Sequence, residues 1–220
     1  MVKIVAISDV HCKFDALVIP KCDILISCGD YSFRGTNEEV QKFHAWLNKQ
    51  NAKHIISVQG NHEKGVEKNF SLAKKLALEA CSKVHFIDEG LVEVEGLKIW
   101  CSAITPFFCD WAWNRYRGEE IKKHWDLIPT DIDVLVTHGP PHKILDRVDR
   151  ADYVMGHHVG CEDLFNKILT IPTLKHHFFG HIHGGHGHHK FNGVNYWNAS
   201  ICDESYWPSN KPTIVKMKKP

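Results

Sequence analysis

Short apolar runs recur along this chain of 220 residues, and a side chain able to bind a metal follows each of them. Three of these runs, residues 3–8, 23–28 and 54–58, fall in the first third and are rich in β-branched residues. Two more cover residues 133–137 and 176–179. Their shortness and continuous apolar character favour strands buried on both faces, as in a parallel sheet covered by helices.

The residues that follow these runs predict a single site. They are Asp9 and His11 after the first run, Asp30 after the second, Asn61 and His62 after the third, His138 after the fourth, and His181 and His183 after the fifth. One such motif would be common by chance, but all five occupy the same structural context. In open α/β sheets the carboxyl ends of the strands meet at one crevice, so we expect these side chains to converge.

The donor set indicates a transition-metal centre. Carboxylate, amide and imidazole donors suit Mn²⁺, Fe, Zn²⁺ or Co²⁺, and the absence of a thiolate cluster argues against a structural zinc site. The donors exceed the needs of one ion. Two ions about 3.5–4 Å apart, bridged by a carboxylate, are the usual arrangement for phosphoester cleavage.

The blocks resemble the calcineurin-like metallophosphoesterases, whose pattern is D-x-H, G-D, G-N-H-[DE], a histidine and G-H-x-H. All five stand in order across residues 9–183. Within this superfamily the chain most resembles the small metallophosphoesterase domain-containing branch, which is class III phosphodiesterase-like. The segments that carry this likeness are residues 60–63, 137–141, 159–162 and 198–200. The resemblance implies an α/β fold, a four-layer α-β-β-α sandwich of two packed mixed sheets flanked by helices. We expect one domain over residues 1–220.

The resemblance also implies roles for the site residues. Asp9, His11 and His183 would hold one metal, Asn61, His138 and His181 the other, and Asp30 would bridge them. A hydroxide bridging the ions would attack phosphorus, and His62 would protonate the leaving oxygen. Some members of the branch replace the residue equivalent to His181 and lose much activity, so its presence here favours a working catalyst. Mn²⁺ is the favoured ion, with Fe, Zn²⁺, Co²⁺ or Ni²⁺ as alternatives.

One position departs from the family pattern. Phe33 stands where many relatives carry a carboxylate that orients the catalytic histidine. Glu63 or another acid is a candidate substitute for that carboxylate. Arg34 is predicted to contact the substrate phosphate, although a solvated surface arginine explains it equally well.

Two further clusters have competing interpretations. The aromatic residues Phe107, Phe108, Trp111, Trp113, Tyr116 and Trp125 could form a wall for a nucleobase or a hydrophobic cluster under a loop. We favour the hydrophobic cluster, with one ring facing the site. For His186, His188 and His189, a polar loop is favoured over an additional metal site.

Local patterns predict further elements. A capping box at residues 36–39 begins a helix, and a second helix is expected over residues 69–80. Residues 91–95 and 98–104 are predicted strands. Residues 190–196 read as a hairpin turning at Asn192 and Gly193, and residues 213–217 as a closing strand.

The amino-acid composition limits the classes of partner that this chain is expected to bind. Lys and Arg number 27 against 26 Asp and Glu, so a nucleic-acid polymer is disfavoured and a small phosphoester or nucleotide preferred. No run of 18 apolar residues is present, so no membrane partner is expected. The eight cysteines are spread singly, and the first residues lead directly into an apolar strand without the pattern of a secretory signal peptide. Both features favour reduced thiols in the cytoplasm. The oligomeric state stays open.

Three functions follow in order of preference. The first is a metal-dependent phosphodiesterase acting on small or cyclic nucleotides. The second is a phosphomonoesterase for proteins or nucleotides at the same site. The third is a non-catalytic scaffold, which the intact set of predicted ligands disfavours.

Overall fold

The computed structural model describes residues 1–148 and 157–218. Its strands are β1 (Val2–Ile7), β2 (Cys22–Ser27), β3 (Ala52–Val58), β4 (Val84–Ile87), β5 (Glu89–Val94), β6 (Leu97–Ser102), β7 (Thr105–Pro106), β8 (Asn114–Arg115), β9 (Val134–Thr137), β10 (Arg147–Val148), β11 (His157–His158), β12 (His176–Phe179), β13 (Gly187–Phe191), β14 (Val194–Asn198) and β15 (Thr213–Met217). Its α-helices are α1 (Asn37–Asn48), α2 (Lys64–Lys68), α3 (Phe70–Ala80), α4 (Glu119–Asp126) and α5 (Glu162–Ile168), with a 3₁₀ turn at His183–Gly185.

Two mixed sheets form the centre of the molecule. The first has the order β15-β1-β2-β3-β4, in which β1 to β4 are parallel and β15 runs antiparallel to β1. The second has the order β13-β14-β12-β9-β6-β5, with a parallel centre of β14, β12, β9 and β6. The five predicted buried strands are therefore confirmed, and the carboxyl ends of parallel strands face the site.

Helices flank both sheets. Helix α1 begins with the predicted capping box at Thr36 and Glu39, packs against α3, and reaches the first sheet through a His44–Ser57 hydrogen bond. Helix α4 packs against α5 and contacts the second sheet through His124 and Glu89. The predicted α/β sandwich of two mixed sheets between helices is confirmed.

The carboxyl end of β1 also joins the two sheets directly. The Ser8 amide donates to the Ala199 carbonyl at 2.9 Å, and the Ile201 amide donates to the Ser8 carbonyl at 2.8 Å. These bonds bring the end of the first sheet beside the residues that follow β14. Residues carried by different sheets can therefore face one another at this point.

The exposed strand β13 corrects the sequence interpretation. His188 and His189 lie in this strand, which pairs with β14, rather than in a polar loop. The predicted turn is present, with positive φ at Asn192 (47°) and Gly193 (81°). The four residues of β13 after Gly187 are exposed, so hydropathy carries no period-2 signal, and pairing with β14 defines the strand instead. Strand β4 and helices α4 and α5 were likewise not predicted.

The described ranges contain no helix that combines the length and the apolar character needed to cross a membrane.

Candidate metal centre

The predicted metal ligands and His62 meet at the carboxyl ends of β1, β2, β3, β9 and β12. The side chains form three overlapping groups, and within each group one potential ligand atom per residue lies within 4.8 Å of the others. The groups are Asp9, His11 and His183; His11, Asp30 and His62; and Asp30, His138 and His181. Asn61 joins the third group, because its Oδ1 lies 2.8 Å from His138 Nε2. Asp30 shares one group with His11 and another with His138 and His181, and so links the two ends of the centre.

At one end, three potential metal-ligand atoms face one another. His183 Nδ1 donates to the Asp203 carbonyl at 2.8 Å, which leaves Nε2 of neutral His183 as a free donor to a metal. That Nε2 lies 3.5 Å from Asp9 Oδ1 and 3.3 Å from His11 Nε2. His11 Nδ1 is buried and has no hydrogen-bond partner. A divalent cation would satisfy Asp9 Oδ1, His11 Nε2 and His183 Nε2 together.

The other end repeats this arrangement. His138 Nδ1 donates to the Cys28 carbonyl at 2.9 Å, so its Nε2 is directed into the site. Nε2 faces Asn61 Oδ1 at 2.8 Å and Asp30 Oδ2 at 3.3 Å. Three potential metal-ligand atoms thus meet at one point beside His181. The residues present fit divalent metal binding at both ends.

The loops that carry the ligands have strained or crowded backbones. Positive φ angles occur at Asp9 (52°), His11 (41°), Asp30 (52°) and His181 (69°). A Cβ added to Gly60 would lie 2.3 Å from Asp30 Oδ1, and one added to Gly180 would lie 2.1 Å from Asp9 Oδ2. Only glycine permits such close approach, so these two positions bring the strand ends against the carboxylates. Strain of this kind concentrates at functional sites.

A layer of hydrogen bonds fixes the two carboxylates. Asp9 Oδ2 accepts from Ser200 Oγ at 2.8 Å and from the His181 amide at 2.9 Å. Asp30 Oδ1 accepts from the His62 amide at 2.8 Å. Each carboxylate thus keeps a fixed orientation while its other oxygen lies near imidazole nitrogens.

Glu63 anchors the loops and does not orient His62. Its buried carboxylate accepts from the Asp30 and Gly60 amides and from both the amide and the hydroxyl of Ser32. Burial, followed by the charge of Asp30, raises the pKa of Glu63, and the hydrogen bonds from Ser32 oppose this rise. The suggestion that Glu63 replaces the missing carboxylate beside His62 is therefore wrong.

A main-chain carbonyl takes that place instead. His62 Nδ1 donates to the Phe33 carbonyl at 3.1 Å, and its Nε2 faces Asp30 Oδ2 at 4.0 Å. The imidazole also packs edge-on against His11 and lies flat against Trp111. Phe33, whose side chain stands where many relatives carry the orienting carboxylate, therefore supplies the orienting group through its main-chain carbonyl.

The electrostatics suit a cation. Burial alone would raise the pKa values of Asp9 and Asp30, but His183 and His138 respectively hold them below the usual range, so both stay ionised. Burial lowers the pKa of His11 to about 4 and that of His181 to about 3. These two rings are therefore neutral near pH 7, as metal binding requires.

The other two ring ligands show the opposite shift. Burial alone would lower their pKa values, but Asp30 raises the pKa of His138 to about 9, and Asp9 raises that of His183 to about 9. Each imidazole thus lies beside a buried carboxylate whose negative charge attracts a proton or a metal. A metal ion would compete with protons for these same nitrogens.

A cavity of about 530 Å³ opens over the centre. Phe107, Phe108 and Trp111 line it on one side, and Tyr206 contributes from the loop after β14. The predicted hydrophobic cluster is thus only partly correct, since Trp113 and Trp125 are buried but three aromatic residues line the cavity. Tyr206 gave no sequence signal, because it stands far along the chain from every ligand block.

The arginine in the cavity wall is not the one singled out from the sequence. Arg34 is exposed and does not line the cavity. Arg117 does line it, and its guanidinium donates to the Val159 and Gly160 carbonyls at 2.6 and 2.8 Å. Arg117 belongs to no recognisable sequence motif. Its place at the site depends on the contact with the main chain at residues 159 and 160.

The sequence comparisons agree with this geometry. A model of the calcineurin-like phosphoesterase family matches residues 2–185. Metallophosphoesterase domain-containing protein 1 of Homo sapiens is 32% identical over 237 residues, covering 99% of this chain and 72% of the relative. A UPF0046 protein of Caenorhabditis elegans is 32% identical over 234 residues, covering 100% of this chain and 82% of the relative.

The fold is also shared with solved structures. Phosphopantetheinyl hydrolase from Mycobacterium tuberculosis superposes with a TM-score of 0.63 at 15% identity, covering 97% of this chain and 95% of that one. At this low identity the likeness concerns the fold alone.

Proposed function

The chain belongs to the calcineurin-like phosphoesterase family, and from that premise we propose that it is a metal-dependent phosphodiesterase acting on small or cyclic nucleotides. The observation that carries the proposal is the convergence of imidazole, amide and carboxylate donors on both sides of Asp30. Such a centre suits the cleavage of phosphate esters, which is the chemistry of the family.

Two divalent ions are part of this proposal. Asp9, His11 and His183 would hold one, Asn61, His138 and His181 the other, and Asp30 would contact both. When bound, the ions would activate the attacking water and neutralise the charge that develops on the phosphoryl oxygens. We favour Mn²⁺, with Fe, Zn²⁺, Co²⁺ or Ni²⁺ as alternatives, since the mixed N and O donors suit these ions.

His62 would act as the general acid. The Phe33 carbonyl accepts from Nδ1, so a protonated His62 presents its second N–H, at Nε2, near Asp30. A leaving oxygen next to Nε2 would take that proton as its bond to phosphorus breaks. The low exposure of the ring, 12% of its side chain, limits competition from water.

The charges around the cavity favour a diester over a monoester. Among the described lining residues, Arg117 is the sole Lys or Arg side chain, and Glu204 offsets its charge. A diester carries one negative charge, whereas a monoester carries up to two and gains more from additional cations. The aromatic rings on the cavity wall offer flat faces to a nucleobase.

The cellular setting is a further part of the proposal. All eight cysteines are free thiols, which supports a reducing compartment such as the cytoplasm.

A metal-reconstituted assay tests the proposal. Bis-aryl phosphate, aryl monophosphate, 2′,3′-cyclic and 3′,5′-cyclic nucleotides would be compared at equal concentration with Mn²⁺. We expect the diesters to be hydrolysed with the higher kcat/KM. A preference for the monophosphate would replace the proposal with a phosphomonoesterase, and metal binding without turnover of any ester would favour a scaffold.

A further inference from the structure

Trp111 makes the closest ring contact of His62. The indole and imidazole centroids lie 4.4 Å apart, and the rings are inclined by 28°, which is a stacked arrangement. Within residues 1–148 and 157–218, His62 stacks on no other ring, since its contacts with His11 and Tyr206 are edge-on. The contact joins a residue of the aromatic segment to the proposed general acid.

The segment that carries Trp111 is fixed to the loop that carries His62. The Ala112 amide donates to the Asn61 carbonyl at 3.1 Å. One residue further on, the Trp113 amide donates to Glu67 Oε1 at 2.8 Å. These two bonds hold the segment of Trp111 against the loop that follows β3 and against helix α2.

A charged pair reinforces this position. Lys64 Nζ lies 2.9 Å from Asp110 Oδ2 and 6.0 Å from the centre of the Trp111 ring. The ammonium is within the range of a cation–π contact. The residues on either side of Trp111 are therefore tied to both sides of His62, Ala112 to Asn61 and Asp110 to Lys64.

His62 requires such a contact, because one hydrogen bond to a carbonyl does not define the plane of the ring. The bond to the Phe33 carbonyl fixes Nδ1, but the imidazole can still tilt about that bond. A carboxylate in the same place would provide a stronger, charge-assisted bond. The flat indole face limits the remaining rotation.

We propose that Trp111 is a positioning residue whose stacking holds the His62 imidazole so that Nε2 points at the leaving oxygen. Together with the Phe33 carbonyl, it performs the orientation that a carboxylate provides in many relatives. The inference rests on the proposed function, since it assumes that His62 donates the proton. The indole face that meets His62 is closed to a substrate ring, which separates this role from simple stacking on a nucleobase.

Kinetics of three variants would test the role. Trp111→Leu removes the flat face, Trp111→Phe keeps one, and Trp207→Leu is a matched control on an exposed ring outside the cavity. For diesters with poor leaving groups we expect Trp111→Leu to lower kcat by about 10–100-fold with little change in KM, because small misplacements of a catalytic group cost up to about 10². Trp111→Phe should retain most of the rate, and Trp207→Leu all of it.

The leaving group and a double-mutant cycle separate positioning from general damage. With nitrophenolate as leaving group, which needs no proton, the loss in Trp111→Leu should shrink. In a His62→Ala background, Trp111→Leu should have little additional effect, because the two residues act as one unit. A raised KM with unchanged kcat, or equal losses on good and poor leaving groups, would overturn the inference.

An NMR measurement tests the geometry without any activity. Stacking on the indole should shift the His62 ring protons upfield, and His62→Ala identifies their signal. We expect the shift to disappear in Trp111→Leu and to persist in Trp111→Phe. An unchanged shift in Trp111→Leu would refute the inference even in an active enzyme. A parent that hydrolyses no ester but shows the shift would refute the proposed function and leave the stacking intact.

Discussion

At the scale of single residues, Asp30 is the carboxylate that links the two ends of the site. It is buried, it lies 3.3 Å from His138 Nε2, and it takes part in two of the three donor groups. Its carboxylate is the one negative charge shared by both ends of the centre. Its removal therefore has consequences at both ends.

Replacing Asp30 by Ala should weaken metal binding at both ends. We expect metal analysis after dialysis against Mn²⁺ to show fewer than two ions per chain, and activity to fall with occupancy. Asp15→Ala, which removes an exposed carboxylate, serves as the control. Retention of two ions by Asp30→Ala would contradict the bridging role.

His62 should matter for turnover but not for metal content. His62→Ala is expected to keep its metal and to lose about 10²–10⁴ in rate, the usual contribution of a positioned acid or base. The loss should be smaller with a nitrophenolate leaving group. His189→Ala, at an exposed histidine, is the control. Loss of metal from His62→Ala would instead make this residue a ligand.

His181 allows the two ends of the centre to be separated. In His181→Gly, we expect titration with Mn²⁺ to show one site loosened while the site of Asp9, His11 and His183 stays filled. The remaining donors at the loosened site include a neutral amide, Asn61, which binds metals weakly. Activity should fall and recover in part with excess Mn²⁺. Uniform weakening of both ions would argue that His181 serves the whole centre.

At the scale of secondary-structure elements, helix α1 is joined to strand β3 by a buried histidine. His44 Nδ1 donates to the Val40 carbonyl at 2.7 Å, and Nε2 accepts from Ser57 Oγ at 3.1 Å. Burial lowers the pKa of His44 to about 4 from its usual value of 6.5. Below pH 6.5 the unfolded chain therefore binds a proton at this residue that the folded protein excludes.

This contact should make stability sensitive to acid. The contribution of His44 is complete above pH 6.5 and decreases by about 3 kcal/mol as the pH falls towards 4. We expect urea unfolding to show that His44→Gln is less stable than the parent at pH 7.5 and that the difference narrows by pH 4.5. His189→Gln is the exposed control. A difference that stays constant with pH would show that His44 titrates normally.

At the scale of the whole molecule, the site lies where the two sheets meet. The first sheet carries Asp9, Asp30 and Asn61 at its strand ends, and the second carries His138 and His181. A bound metal would therefore connect both sheets. The native state should gain stability from metal that the unfolded chain does not.

Mn²⁺ should accordingly raise the melting temperature. At about 100 times the dissociation constant, binding contributes about 2.7 kcal/mol, which corresponds to roughly 5–10 °C for a chain of this size. Thermal unfolding after chelation, and again after adding Mn²⁺, measures the shift. It should be much smaller in Asp30→Ala and with Ca²⁺, which prefers oxygen ligands. An equal shift in Asp30→Ala would place the stabilising metal elsewhere.

Local sequence patterns predict where the buried strands lie and which residues follow them. Asp9, Asp30 and His138 were found because parallel strands present their carboxyl ends at one edge, so local patterns predict a distant meeting. The capping box at Thr36 was equally visible, since its hydrogen bonds are local. These features depend on residue identity at short spacing.

Contacts between distant parts of the chain determine how the proposed acid is held and what surrounds it. The Phe33 carbonyl is a main-chain group that every residue possesses, so no side-chain pattern reveals its direction. Trp111 reaches His62, and Arg117 reaches the chain at residue 160, across long loops whose paths are set by packing. The sequence therefore predicted the residues of the centre, whereas long-range packing and main-chain geometry determined how they are oriented.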